Sequence, residues 1–181
     1  MNLYYSEMTT PIGRLTLVSR EDVLIAVAFE GEDGSTNRWL TRRFGQIPME
    51  SHPDPAGAAS ALRTYFDGDL RALDRVTVDT GGTGFQREIW SALREIPVGT
   101  TVSYSWLAAR VGRPSAVRAV GAANGSNPIP VIIPCHRVIA ADGTLCGYGG
   151  GLDRKRWLLT HERAMPRNVK ASARSRQIPL W

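Results

Sequence analysis

The sequence predicts an α/β protein of the α+β kind, with a small antiparallel sheet and helices in the first half and a mostly helical second half. Three observations carry that reading. The first thirty residues alternate in strand fashion in three runs, LYYSEMT, RLTLVSR and VLIAVAFE. Residues 85–96 instead repeat apolar side chains at three- and four-residue spacing: Phe85, Ile89, Ala92, Leu93 and Ile96. Between the two patterns lies G-G-T-G at 81–84, a glycine-rich linker and the expected boundary.

Taken in order, the three strand runs are separated by T-P-I-G and E-D, both turn chemistry, and read as an antiparallel meander. Ser35 is placed to cap a helix over Asn37–Phe44, and Pro55–Phe66 reads as a second helix closed by Asp67-Gly68. RVTVDT (75–80) reads as a further strand. After the linker comes the helix over 85–96, stopped by Pro97 and Gly99. Ser103 caps YSWLAARV, whose apolar stripe is Trp106, Leu107 and Val111. Gly112 breaks that helix, and Pro114 opens PSAVRAVGAAN as a first helical residue. Two short helices joined by a glycine-bearing turn fit a helix-turn-helix. The domain organisation expected is therefore 1–80, linker 81–84, 85–165, and a basic, polar tail over 166–181.

Composition narrows the function classes. A chain of 181 residues, 43% hydrophobic and 22% charged, is that of an ordinary soluble protein, with no apolar run near the ~20 residues of a membrane span. The start, MNLYYSEMTTPIG, lacks the features of a signal peptide, so a cytoplasmic or nucleoid location is expected, with Cys135 and Cys146 as free thiols. Residues 1–80 hold 8 Arg against 12 Asp and Glu, whereas residues 81–181 hold 14 Lys and Arg against 5 Asp and Glu. The excess of positive charge in the second half suggests a polyanionic partner.

The chemistry concentrates in VIIPCHRVI, residues 131–139. Val131, Ile132 and Ile133 read as a short buried strand that Pro134 must end. An unperturbed thiol, pKa ~8.5, is only a few per cent ionised near neutrality, so Cys135 needs help losing its proton. Neighbours on a straight strand point to opposite faces, so Cys135 and His136 cooperate only if the chain leaves the strand after Ile133. On residues alone a thiol hydrolase or a helix-turn-helix regulator also remains open.

The full constellation decides between them. S-Y-x-x-L-A at 103–108, R-A-V-G at 118–121, Asn127-Pro128, P-C-H-R-V at 134–138, Y-x-G-G at 148–151 and L-L-x-H-E at 158–162 follow one another in order. This order and spacing resemble the O6-alkylguanine-DNA alkyltransferase family of direct-reversal DNA repair proteins. The resemblance is dense from Gly84 to Glu162 and sparse before. It implies a ribonuclease-H-like N-terminal domain and a winged-helix-like helix-turn-helix beyond it. It also implies a single-turnover transfer of an alkyl group from O6-alkylguanine, and from O4-alkylthymine, in duplex DNA to a cysteine. By the same resemblance Cys135 is the nucleophile, His136 the base acting through a water, and Glu162 the group that holds His136. Tyr104 supplies a proton or hydrogen bond to the leaving base and helps flip it. Asn127 is the hinge between the helix-turn-helix and the active-site loop. Arg118 is the arginine finger that fills the stack, with Ser103, Ser115, Ala119 and Gly125 on the same minor-groove-binding face. Pro130, Val138, Tyr148 and Gly149 line the pocket, and Gly149 stands where many members carry Ser. The partner implied is double-stranded DNA, bound by a monomer with cooperative assembly left open. No cofactor, metal or membrane is implied, and no N-terminal cysteine cluster offers a zinc site. Cys146 is read as a bystander and His161 as structural or surface.

Overall fold

The computed structural model describes residues 2–31 and 34–166. Strands β1 (Leu3–Thr10), β2 (Gly13–Arg20) and β3 (Val23–Phe29) form the expected antiparallel meander, with Leu3 opposite Arg20 and Leu15 opposite Phe29. A short β4 (Met49–Ser51) adds itself parallel to β1, giving the order β3-β2-β1-β4. Its three exposed residues carry no apolar alternation from which a strand could be foreseen. Leu15, Leu17, Leu24 and Val27 join the main core, and Val18, Ile25 and Ala26 pack with Leu40 of α1 (Ser35–Phe44). A bulge opposite Val18 and Ser19 leaves Ile25 without a partner and so brings Leu24 and Val27 to one face.

Two helix starts differ from expectation. Ser35 does not cap α1: Gly34 does, in the left-handed region at φ 78°, and makes no side-chain cap bond. Helix α2 (Ala58–Phe66) begins three residues after Pro55, because Ala56 and Gly57 take positive φ in a 3-10 turn over Pro55–Gly57. It ends at Asp67, as the D-G pair predicts. RVTVDT is not a strand. Arg75 closes a 3-10 turn over Ala72–Arg75, and only Val78 bridges, parallel, to Leu24. Arg20 and Arg43 then both donate to the Asp79 carboxylate, holding the chain at the β3 edge rather than extending it.

Beyond Gly82, Thr83 and Gln86 cap α3 (Gly84–Arg94) reciprocally, so Gly84 is helical rather than linker. Ile89, Ala92 and Leu93 are buried as their spacing requires, and so is Trp90, whose indole donates to the Ala123 carbonyl at 2.8 Å. Phe85 is half-buried, with the Arg113 guanidinium 5.3 Å from its ring. The helix stops at Arg94, two residues short of the expected end, with Glu95 as its C-cap. Ser103 caps α4 (Tyr104–Arg110) by accepting from the Trp106 amide at 3.0 Å. Leu107 and Ala108 are its buried face, whereas Trp106 is 43% exposed and not part of the stripe. Gly112 breaks the helix at φ 70°. Pro114 lies in the following turn, and α5 (Val117–Gly125) starts three residues later than expected. Strands β5 (Val102–Ser103) and β6 (Val138–Ile139) pair in parallel, and α6 (Leu152–His161) closes the described fold. One apolar cluster runs from the sheet through Leu62, Ile89, Leu107, Val131 and Leu158, so the two halves share a core. The expected basic tail lies, apart from Pro166, outside the described residues.

Candidate active site

Val131–Ile133 is buried as its composition demands, but it is a turn rather than a strand. The Ile133 amide donates back to the Ile129 carbonyl at 2.9 Å, and Pro130 bridges to Ile133. Val131 sits at φ 75°, a conformation β-branched residues rarely take and one that costs on the order of 1–3 kcal/mol. Asn127 holds this turn closed. Its side chain accepts from the Ile129 amide at 3.0 Å and donates to the Ile133 carbonyl at 2.8 Å. The same Nδ2 lies 3.1 Å from Cys135 Sγ, so one amide fixes both the turn and the thiol. Pro134 then leads into a 3-10 turn over Cys135–Arg137, which places consecutive side chains around an axis instead of on opposite faces.

Cys135 is 5% exposed and borders a cavity of about 600 Å³. Burial pushes its thiol pKa up, against the Asn127 hydrogen bond and the positive charge of Lys155. It is therefore a neutral thiol. His136 is wholly buried, and burial pulls its pKa below the ordinary value although Glu162 opposes this, so the imidazole is neutral. Its Nε2 stands 3.0 Å from Glu162 Oε1. Burial raises the Glu162 pKa, but hydrogen bonds from His136 and Arg137 outweigh it and hold the carboxyl well below the usual range. A carboxylate only accepts, so Nε2 carries the proton and Nδ1 is the free lone pair. Nδ1 has no hydrogen-bond partner among the described residues.

Three residues that the sequence reading did not assign complete this centre. Arg137 Nε and Nη2 donate to the two Glu162 oxygens at 2.8 and 2.9 Å, and its Nη1 donates to the Ile96 carbonyl. Tyr65 of α2 donates its hydroxyl to Glu162 Oε1 at 2.8 Å. Lys155, wholly buried, donates to the carbonyls of Val138 and Cys146 at 2.6 and 2.8 Å, tying the Cys135 segment to the glycine-rich loop over 147–151. Each belongs to a residue type that, when buried, must be paired; sequence spacing carried no sign that these would be buried.

Pro130, Tyr148 and Gly149 line the cavity, together with Gly125 and Asn127. Val138 does not: its side chain is fully buried and its carbonyl is taken by Lys155. The first half of the chain contributes the opposite wall, with Val27, Phe29, Ser35, Thr36 and Trp39. Two contacts hold that wall against the loop. The Val27 amide donates to the Pro128 carbonyl at 2.9 Å, and Arg154 bonds the carbonyls of Ile12 and Gly150 while lying over the Phe29 ring.

Tyr104 packs its ring over Gly121 of α5, where a β-carbon would come within 3.7 Å of it. Its hydroxyl lies 3.4 Å from the carbonyls of Cys146 and Gly147, and burial, with Cys146 nearby, pushes its pKa up to about 12. Arg118, Ser115, Ala119 and Gly125 are all exposed on or beside α5, and Arg118 makes no hydrogen bond or ion pair with a described residue. Ser103 is half-buried, and its hydroxyl is engaged in capping. His161 is a structural residue, stacked on Trp157 and bonded to the Tyr65 carbonyl. Cys135 and Cys146 are both free thiols. Among the described residues no three His, Cys, Asp or Glu side chains gather to hold a metal, and no helix is long and apolar enough to cross a membrane.

Residues 3–80 match the ribonuclease-like domain of 6-O-methylguanine DNA methyltransferase, and residues 84–164 match the DNA-binding domain of the same family. The methylated-DNA–protein-cysteine methyltransferase of Salmonella typhimurium is 46% identical over 165 residues, 90% of this chain and 96% of that one. That of Mycobacterium tuberculosis is 44% identical over 165 residues, 90% of this chain and 93% of that one. The crystal structure of Mycobacterium tuberculosis OGT in complex with DNA is similar at a TM-score of 0.76 and 40% identity, covering 90% of this chain and 94% of that one. The O6-methylguanine-DNA methyltransferase of Pyrococcus kodakaraensis, at 24% identity and a TM-score of 0.65, shares the fold over 88% of this chain and 98% of that one. With both of its halves matched, the chain belongs to the 6-O-methylguanine DNA methyltransferase family.

Proposed function

We propose that the protein accepts the alkyl group of O6-alkylguanine, and of O4-alkylthymine, onto Cys135 in a single irreversible turnover. DNA repair by transfer of an alkyl group to a cysteine is the function of the chain at the coarser level. The observation that carries the finer reading is the buried Cys135 thiol on the cavity wall, followed in sequence by a neutral His136 whose Nδ1 lone pair is free.

The steps follow from these groups. His136 takes the Cys135 proton at Nδ1 through a water, while Glu162 accepts from Nε2–H and stabilises the imidazolium formed. The thiolate attacks the saturated carbon: the S–C bond forms as the C–O6 bond breaks, and the electron pair passes into the guanine ring. Tyr104, a neutral phenol at physiological pH, donates a hydrogen bond or proton to the departing base. The product is a thioether, which water does not cleave, so each molecule reacts once. No cofactor enters.

The target carbon lies inside a duplex, so the nucleotide must leave the stack. Helices α4 and α5 act as a helix-turn-helix in the minor groove, with Arg118 filling the gap left by the flipped base. The exposed row of Ser115, Arg118, Ala119 and Gly125, beside a cavity that Gly125 itself lines, supports this docking. The protein acts as a monomer, located in the cytoplasm with the nucleoid.

Duplex carrying labelled O6-methylguanine tests the reading. Label passes to the wild-type protein. Cys135→Ser takes up none, yet binds the lesion with largely unchanged affinity because the groove contacts lie elsewhere. Stoichiometric transfer to that variant would refute the assignment.

A further inference from the structure

The Glu162 carboxylate does more than face one histidine. Oε1 receives His136 Nε2 at 3.0 Å, Arg137 Nη2 at 2.9 Å and the Tyr65 hydroxyl at 2.8 Å, while Oε2 receives Arg137 Nε at 2.8 Å. Arg137 is a neighbour of His136 in sequence, but Tyr65 comes from α2, 97 residues before Glu162. Tyr65 is itself immobilised. It is wholly buried, its ring meets Phe66 and His161 edge-on, and its carbonyl is bonded by His161 Nε2 at 2.8 Å. A phenol hydroxyl needs one partner when buried, and this one is aimed at the oxygen that holds the base.

Resting on the alkyl-transfer reading above, we propose that Tyr65 is a positioning residue for the reaction. Its hydroxyl occupies Glu162 Oε1 and thereby limits how strongly that carboxylate draws on the His136 proton. The N-terminal half thus sets the strength of the base that serves the C-terminal nucleophile.

The physical argument is one of shared acceptor capacity. A carboxylate oxygen has two lone pairs, and Oε1 already serves three donors. Each donor that binds the carboxylate spreads its negative charge and weakens its pull on the others. Arg137 alone leaves Glu162 a strong acceptor, which favours imidazolium. Adding Tyr65 shifts the balance toward neutral imidazole, the form that can take a proton from Cys135. The charged groups acting on His136 are Glu162 and Lys155, from the end of α6 and α6 itself, and Arg137 from its own segment; Tyr65 from α2 and Tyr148 stand near Glu162. Only Tyr65 and Tyr148 are neutral phenols, and only the Tyr65 hydroxyl is bonded to the carboxylate.

The test is Tyr65→Phe, which keeps the ring and removes one oxygen. Titration of the His136 ring by NMR in the full chain reads the effect without any transfer assay. With the donor lost, Glu162 carries more unshared charge and the His136 midpoint rises, by about half a pH unit. The acid limb of the transfer rate on a free O6-alkylguanine base moves up with it. A His136 midpoint that stays where it is, or falls, overturns the inference. Because the midpoint is read without substrate, a protein that failed to transfer alkyl groups at all would refute the functional reading and leave this measurement decisive on its own.

Discussion

Two buried residues have pKa values displaced downward, one by burial and one by its hydrogen bonds, and these make the protein sensitive to acid. His136 has its pKa below the ordinary imidazole value through burial, and Glu162 has its pKa held down by His136 and Arg137. For both groups the folded-state pKa lies below the unfolded one, so both contribute stability at neutral pH that is lost as pH falls. The window opens at the unfolded imidazole pKa near ~6.5 and widens below ~4.3, where unfolded carboxylates also bind protons. Below pH 6.5 the loss is about 1.4 kcal/mol per pH unit for each proton taken up on unfolding. Melting temperature measured from pH 7 down to pH 5 therefore declines in the wild type. A His136→Gln variant that folds has a shallower decline over that range. Equal slopes for the two would place the acid sensitivity elsewhere. At this scale much of the centre is legible in the sequence, since Cys135, His136, Asn127, Glu162 and Tyr104 all sit in motifs of distinctive residue type. Arg137, Tyr65 and Lys155 are not, because their roles depend on which long polar side chains become buried, a tertiary outcome that spacing does not encode.

Among the elements, the sequence is most informative where one local rule dominates. The alternation of β1 to β3 and the Ser103 cap of α4 appear in the structure where the pattern places them. It misleads where a side chain or a left-handed residue overrides the pattern. Val131–Ile133 has strand composition, yet the Asn127 side chain folds it into a turn with Val131 at φ 75°. Pro114 is suited to open a helix, but its turn delays α5 to Val117. The contact between β3 and the glycine-rich loop is the feature least visible in sequence, and it is testable. A β-carbon on Gly150 would lie 2.6 Å from Phe29 Cε2 and 2.9 Å from Tyr148 Cε1. Phe29 is pinned by Arg154 and Tyr148, so the loop rather than the ring must move. Gly150→Ala should lose about 1–3 kcal/mol in chemical denaturation and transfer alkyl groups several-fold more slowly. Its affinity for undamaged duplex should stay near wild type, since α4 and α5 are untouched. A variant with normal stability and rate would mean that the loop has room the packing denies.

For the whole molecule, the two halves share one core and one cavity. The sheet half supplies a cavity wall, the Val27 bond to Pro128 and the Tyr65 bond to Glu162; the helical half supplies Cys135, His136 and the exposed α5 face. The charge division in the sequence agrees with this arrangement, since the basic excess lies in the half that carries α5. What the sequence could not convey was how residues 1–80 bear on the site, because their contributions come from three separate elements that meet only in the fold. The central claim is that Cys135, and no other group, ends the reaction carrying the alkyl group. Intact mass followed by peptide mapping, after incubation with excess duplex containing O6-methylguanine, measures it most directly. The account predicts a mass increase of one methyl group per molecule, all of it on Cys135 and none on Cys146. An unchanged mass, or a methyl group found on Cys146 or any other residue, would contradict it.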